Sequence, residues 1–312
     1  MIYTVTLNPA IDKTVEIPGF AAGKVNRVQN MRLDAGGKGI NVTKCLASFG
    51  QKSIAAMILG GSNGNRLQQM LLQQGISTLA VSVSGETRTN LKIIDSTGHS
   101  NTDINEPGPL ADADTLADLR EKIGQSLCPG DAVILSGSLP RGAEAATYRQ
   151  WCAYFQSVGA RVYLDADGEA LRLGIQAVPY LIKPNDEELS RLLGRPVDSL
   201  DDMLQAGHSL LAAGIREVVI SLGAKGALFL NGEGACLAEA LSVPVRSTVG
   251  AGDSMVAAMA YAKENALSRE QQIRLAMAMG AASVMCDGTQ APERNLVWEL
   301  AKQVKFQEVS QK

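Results

Sequence analysis

Residues 247–254 run Ser-Thr-Val-Gly-Ala-Gly-Asp-Ser and lead directly into an alanine-rich stretch at 255–263. Two glycines two residues apart let the backbone turn tightly and bring its N–H groups close to a ligand. The run after them predicts a helix, so those donors stand at a helix N-terminus, where the free N–H groups and the dipole favour an anion. Asp253 follows at once, placed to accept a proton from a hydroxyl while amides of the Gly250, Ala251 and Gly252 turn hold a phosphoryl group. That is equipment for phosphoryl transfer to an alcohol. Taken alone, the octapeptide also fits an acidic residue opening a helix after a glycine turn.

A second glycine-rich turn, Asp34-Ala35-Gly36-Gly37-Lys38-Gly39-Ile40-Asn41, also enters a helical pattern. Its bare backbone admits close approach, and Lys38 and Asn41 add donors suited to a sugar hydroxyl or a phosphate. The alternative is a glycine turn that merely caps a helix. The chain has no GxxxxGK[ST] and no GxGxxG, so the P-loop and the dinucleotide fingerprint are both absent.

The elements that must position these turns are those of an α/β fold. Short apolar runs at 2–7, 53–59, 79–83, 132–135, 161–164, 180–182 and 218–221 predict strands. Helical patterns at 40–49, 65–74, 112–126, 143–157, 186–193, 200–213, 254–266, 269–286 and 294–304 alternate with them. Such alternation predicts right-handed crossovers and a mostly parallel sheet covered on both faces. In such sheets ligands lie beyond the carboxyl ends of the strands. Residues 12–33 and 87–105 break the alternation: they are polar, with period-two stretches such as Thr14-Val15-Glu16-Ile17, and predict extra strands outside the main sheet. With no linker or repeat, residues 1–312 read as one domain carrying a small β-sheet lid.

Composition narrows the classes. A chain of 312 residues, 46% hydrophobic, can bury a large core. A net charge of −3 with dispersed Lys and Arg gives no electrostatic case for nucleic acid or an anionic membrane. No apolar run reaches transmembrane length, and the opening Met1-Ile2-Tyr3-Thr4-Val5 reads as a first strand, not a signal peptide. Cys45, Cys128, Cys152, Cys236 and Cys286 form no CxxC pair, which fits reduced thiols in a cytoplasmic protein. His99 and His208 stand outside any metal or triad pattern and read as surface residues.

Six segments occur in one order: Asn8-Pro9-Ala10-Ile11-Asp12, Gly36-Gly37-Lys38-Gly39-Ile40-Asn41, Ser136-Gly137-Ser138-Leu139-Pro140, Lys183-Pro184-Asn185-Asp186-Glu187-Glu188, Ser221-Leu222-Gly223-Ala224-Lys225-Gly226, and Thr248 to Ser254. Together they resemble the ribokinase-like (PfkB) carbohydrate kinases over essentially the whole chain. The 8–12 opening, Thr87-Arg88-Thr89-Asn90 and Thr102-Asp103-Ile104-Asn105 are most similar to the family's phosphosugar branch, and within it to the 1-phosphofructokinases.

The resemblance implies an ATP- and magnesium-dependent (Mg2+) kinase with Asp253 as catalytic base and Gly250, Ala251 and Gly252 as the anion hole. Asn185 and Glu188 match the motif that positions the magnesium bound to ATP; their own spacing also reads as a helix-capping box. Lys183, Ser221, Gly223, Lys225, Gly226, Thr248 and Val249 fall on the nucleotide side. Ser283 falls where the family borders the adenine, although small residues there equally serve helix packing. For the acceptor, Asp12, the Gly37 backbone, Lys38 and Asn41 would meet sugar hydroxyls. Arg88 would take the phosphate already present, with Lys24, Arg27 and Ser138 as companions. The implied reaction is fructose 1-phosphate to fructose 1,6-bisphosphate, with tagatose 6-phosphate or fructose 6-phosphate as alternative acceptors. Asn26 and Asp103 stand where the minor 6-phosphofructokinases carry arginines, which speaks against fructose 6-phosphate. An oxidoreductase would lack its glycine fingerprint here, and a sugar-binding protein without catalysis would not need Asp253. Two lids clasped in a homodimer complete the expectation.

Overall fold

A computed structural model describes residues 1–310. In chain order the elements are β1 (Ile2–Thr6), β2 (Ala10–Glu16), β3 (Asn30–Gly36), α1 (Lys38–Ser48), β4 (Ser53–Gly60), α2 (Gly61–Gln73), β5 (Ser77–Val83), β6 (Arg88–Asp95) and β7 (Ser100–Asn105). There follow α3 (Ala113–Ser126), β8 (Ala132–Ser136), α4 (Thr147–Ser157), β9 (Arg161–Asp165), α5 (Gly168–Gly174), β10 (Leu181–Ile182), α6 (Asp186–Leu193) and α7 (Leu200–Ala212). The chain ends with β11 (Glu217–Ser221), β12 (Ala227–Asn231), β13 (Gly234–Ala238), α8 (Ala251–Glu264), α9 (Arg269–Val284), α10 (Arg294–Ala301) and β14 (Phe306–Val309).

The main sheet has the order β14-β13-β12-β11-β10-β9-β8-β1-β4-β5. From β5 across to β11 every neighbour is parallel, and β12, β13 and β14 extend the sheet antiparallel. Its strands are apolar on both faces. Tyr3, Val133, Val162 and Val218 point into the core beside α3, α4 and α7, while Ile2, Ile134, Tyr163 and Val219 point into the core beside α1, α8 and α9. One strand therefore supplies two hydrophobic layers, which explains why the predicted strands read as continuous apolar runs.

The two polar excursions form a separate four-stranded sheet, β3-β2-β6-β7. β2 and β3 leave the chain between β1 and α1, and β6 and β7 between β5 and α3. The excursions meet as a parallel pair from Ala10↔Arg88 to Glu16↔Ile94. Period-two alternation turns Asp12, Asn90, Lys92 and Asp103 toward the main sheet, where they line one cleft.

Each expected helix and strand occurs, with shifted ends. Helix α2 opens at Gly61 rather than 65, because the Glu86 carboxylate accepts from the Ser62 and Asn63 amides, both at 3.0 Å, and holds its first turn. Helix α4 opens at Thr147 rather than 143, after a turn closed from the Thr147 amide to the Glu144 carbonyl at 2.9 Å. Helix α10 stops at Ala301 instead of 304, since the chain must turn to pair β14 with β13. Strands β12 and β13 were not expected; neither contains a β-branched residue, and they form a hairpin on the edge that β11 offers. The seven-residue α5 also carried no signal. His99 and His208 are both exposed. Among the described residues no helix is long and apolar enough to cross a membrane.

Candidate active site

The main-sheet strands end under the lid at a cleft of about 600 Å³. Thr6 comes from β1, Asp165 from β9, Ser221 from β11, and Lys183 from just beyond β10. From β1 the chain works outward to β4 and β5 on one side and to β8 and beyond on the other. The cleft therefore lies at the point where strand order reverses, as expected for an open parallel sheet.

Both glycine turns deliver helix N-termini to this cleft. Gly250 precedes α8 with φ of 86°, and no side chain caps the helix. Gly37 precedes α1 with φ of 124°, again uncapped. A Cβ on Gly37 would lie 2.6 Å from the Thr6 methyl, so both backbone angle and space exclude a side chain. Gly252 lies against the Lys183 ammonium, whose Nζ would be 2.8 Å from an added Cβ.

Asp253, 5% exposed in the first turn of α8, is the centre of the charge network. Its Oδ2 accepts from Asn41 Nδ2 at 2.8 Å. Burial, and then the charge of Asp165, push its carboxyl up to about 6, against the pull of Lys38, the Asn41 amide and Lys183. Asp165 itself is held below the usual carboxylate range. Its burial works the other way, but Lys183 at 3.6 Å and Lys38 at 3.3 Å outweigh it. Asp165 in turn keeps the Lys38 ammonium well above the ordinary lysine value. The result is one ionised acid neutralised by two lysines, beside a second acid poised to exchange a proton.

On the lid side, Asp12 Oδ1 accepts from Asn90 Nδ2 at 3.0 Å, across the β2–β6 register. Burial raises the Asp12 carboxyl, with the Asn90 bond and Lys44 opposing. A side chain on Gly36 would run into this carboxylate. Arg88 donates to the carbonyls of Asn8 at 3.0 Å and Glu106 at 3.1 Å, so its guanidinium is already oriented at the edge of the cleft. Burial lowers the Arg88 value, with Asp12 opposing.

The structure brings Asp12, Gly37, Lys38, Asn41, Arg88 and Ser138 into the cleft lining, together with Lys183, Asn185, Glu188, Ser221, Val249, Gly250, Gly252 and Asp253. Ala251 opens α8 between two of these. Lys24 and Arg27 do not join them; they are exposed on the loop between β2 and β3, which Asn26 ties to itself through Ala21 and Lys24. Gly223, Lys225 and Gly226 sit in the turn after β11 outside that lining, and Thr248 borders a smaller adjoining cavity. Ser283 is buried in α9 with its hydroxyl donating to the Gly280 carbonyl at 2.8 Å, so it packs helices rather than facing the cleft. Asn185 and Glu188 form the expected capping box, with bonds of 2.7 and 2.9 Å.

The sequence does not single out Asp165 in the lining or Lys44 behind it, and Asn90 enters only as part of the Thr87-Arg88-Thr89-Asn90 segment. Asp165 offered one signal, an acid closing an apolar strand at its carboxyl end. Among the described residues no cluster of three His, Cys, Asp or Glu side chains could hold a metal. Asn185 and the Glu188 carboxylate, whose second oxygen the capping box leaves free, line the cleft and suit a hard cation that keeps its waters, which needs no protein cage.

Residues 4–296 match the model of the pfkB family carbohydrate kinase. The chain is 40% identical over 307 residues to a 1-phosphofructokinase of Rhodobacter capsulatus, covering 97% of this chain and 96% of the relative. It is 39% identical over 286 residues to a 1-phosphofructokinase of Escherichia coli, covering 91% and 90%. Among solved structures, phosphofructokinase-2 from Escherichia coli in complex with potassium matches with a TM-score of 0.92 at 30% identity, covering 97% of this chain and 98% of that one.

Proposed function

The chain belongs to the pfkB family of carbohydrate kinases, and we propose that it transfers the γ-phosphoryl group of ATP to the 6-hydroxyl of fructose 1-phosphate. The observation that carries the chemistry is Asp253 at the uncapped N-terminus of α8, buried against Asn41 and facing the cleft. As the hydroxyl oxygen bonds to phosphorus, its proton passes to Asp253 and the bond from phosphorus to the ADP oxygen breaks. Amides of the Gly250–Gly252 turn, with Lys183 beside them, hold the oxygens of the group in flight. Asn185 and Glu188 would hold the magnesium that accompanies the nucleotide, which neutralises phosphate charge when bound. Asp12, Asn41 and Lys38 orient sugar hydroxyls, and Arg88 takes the phosphate already on the acceptor.

The choice of sugar is supported by the two relatives named above and by Asp103, an acid paired with Lys92 at 3.5 Å within the cleft lining. The test is kcat/KM for fructose 1-phosphate, fructose 6-phosphate and tagatose 6-phosphate on one preparation. Fructose 1-phosphate should lead; a lead for tagatose 6-phosphate would overturn the acceptor assignment.

We also propose a homodimer closed by the two lids. Val25, 82% exposed, Val28, Met31 and Ile104 leave apolar surface on the lid that a second copy would cover. Sedimentation should show dimer that Met31→Glu weakens; monomer alone at working concentration would remove the clasp. The dispersed cysteines, with Cys45, Cys152 and Cys236 buried and unpaired, support a reducing cytoplasmic setting.

A further inference from the structure

Lys44 is a buried charge that the reaction above leaves without a task. It lies on α1 three residues beyond Asn41 and is 7% exposed. Its Nζ donates to the Ala35 carbonyl at 2.9 Å and to the Thr289 hydroxyl at 3.1 Å. Burial pulls its value below that of an ordinary lysine, while the charges of Asp34 and Asp12 oppose that pull. An apolar side chain of similar length would fill the same space without the desolvation cost, so packing does not account for an ammonium here.

The two atoms it holds belong to two different segments, the lid strand β3 and the loop after α9, which also meet where Gly288 lies against Arg32 and Asp34. Ala35 lies in the lid strand β3 immediately before its last residue, Gly36, whose bare Cα lies against the Asp12 carboxylate. Thr289 lies in the loop after α9, next to Gly288, and both line the cleft. The end of α9 and the start of that loop also brace the approach to the phosphoryl-holding turn. The amides of Arg246 and Ser247 donate to the Val284 carbonyl at 2.7 and 3.2 Å, and Arg246 pairs with Asp287 at 3.2 Å. On the same helix, Asn41 holds Asp253 and Cys45 Sγ meets Ser254 Oγ at 3.3 Å. Helix α1 therefore grips α8 directly, and Lys44 adds a grip on the loop beside it.

We propose that Lys44 is a positioning residue that fixes the acceptor wall of the cleft against the loop bracing the phosphoryl-holding turn, so that hydroxyl and γ-phosphate meet in line. The proposal rests on the reading of the cleft as a phosphosugar kinase site. Displacement of one reactant by about 1 Å costs on the order of 100-fold in rate, whereas binding of either substrate to its own wall is barely altered. The signature is thus a loss in kcat with little change in the KM for ATP.

The experiment compares Lys44→Met, Lys44→Arg, Thr289→Val and the Lys44→Met/Thr289→Val double variant, each assayed well below its melting temperature. The acceptor is whichever of the three phosphosugars the unaltered enzyme uses best, so a wrong sugar shows in the parent and a wrong role for Lys44 only in the variants. Lys44→Met should lower kcat by about 10- to 100-fold, with the KM for ATP within about twofold. Lys44→Arg should restore most of that loss. Thr289→Val should lower kcat less, and the double variant should be no slower than Lys44→Met, because both changes break one contact. A folded Lys44→Met enzyme with unchanged kcat, or losses that multiply in the double variant, would overturn the proposal. If Lys44→Met does not fold, Thr289→Val decides alone, since it keeps the side-chain volume and removes only the acceptor; an unchanged kcat there overturns it.

Discussion

Asn41 and Asp253 are 212 positions apart, yet their side chains meet at 2.8 Å where α1 and α8 converge. The amide occupies Oδ2 of the carboxylate and fixes its rotamer, so Oδ1 is the oxygen left for the proton transfer proposed above. The Asn41 Oδ1 atom is buried without a protein partner, a polar group left unsatisfied beside the proposed base. Each glycine turn thus supplies both a helix terminus and one half of this pair.

Replacing Asp253 with Asn keeps the shape and the contact to Asn41 but removes the proton acceptor. Turnover should fall by about two to four orders of magnitude while ATP binding, followed by calorimetry, persists. The same variant should be more stable than the parent at pH 8. The Asp253 carboxyl is raised in the fold, so its contribution to stability is complete below its ordinary value of 3.8 and is lost as pH rises through about 6. Above that range the buried charge costs on the order of 2–3 kcal/mol, which Asn avoids. A variant that is less stable at pH 8, or one that turns over normally, contradicts the assignment.

The raised carboxyl also sets the acid limb of the rate profile. Only ionised Asp253 can take the proton, so kcat/KM should drop about tenfold per pH unit below about 6. A profile still flat at pH 5 would show that another group, or no group, accepts it.

Arg88 is held by two main-chain carbonyls, and cutting it to alanine would remove the contact proposed above for the acceptor's phosphate. A charge-assisted hydrogen bond contributes roughly 1.5–3 kcal/mol, or about one to two decades in binding. The acceptor KM of Arg88→Ala should rise by at least that order, with the KM for ATP nearly unchanged. Equal rises in both constants would point to collapse of the lid root instead.

Glu188 caps α6 and, in the reaction proposed above, also meets magnesium; substitution can separate the two. Glutamine can still accept from the Asn185 amide, as Glu188 does at 2.9 Å, but it carries no charge for magnesium. Glu188→Gln should therefore need more magnesium for half-maximal rate while its melting temperature barely moves. Asn185→Ala should show both defects, because loss of a cap costs about 1 kcal/mol. Unchanged magnesium dependence in both variants would leave the pair a helix cap only.

Much of this was legible in the chain. The two glycine turns, the parallel strands and the polar lid each carry a local signature, in spacing, β-branching or alternation. Asp165 carries only a faint one, an acid closing an apolar strand, and Lys44 and strand β14 carry none. Lys44 stands within an ordinary helical pattern, and its meaning comes from Thr289, 245 residues away. Strands β12 and β13 form a hairpin on the edge that β11 offers; the apolar run 227–230 closed by Asn231-Gly232 is its signature, weakened by the lack of β-branched residues. Lys24 and Arg27 stand near a motif in sequence, but within one chain their loop keeps them exposed and outside the cleft lining.

The lid is stitched from two insertions whose roots are strands of the main sheet, which points to an order of assembly. Pairing β2 with β6 costs less chain entropy once β1, β4 and β5 lie side by side and bring their roots together. We therefore expect the Asp12–Asn90 bond, spanning 78 residues, to form late and to open first. Amide hydrogens of 10–16 and 88–95 should exchange through partial opening well before those of β1 and β8, and a phosphosugar acceptor should slow them more than ATP does. Simultaneous exchange of both sheets would mean that lid and core form one cooperative unit. If the order holds, a newly made chain can bind nucleotide before it can recognise a sugar.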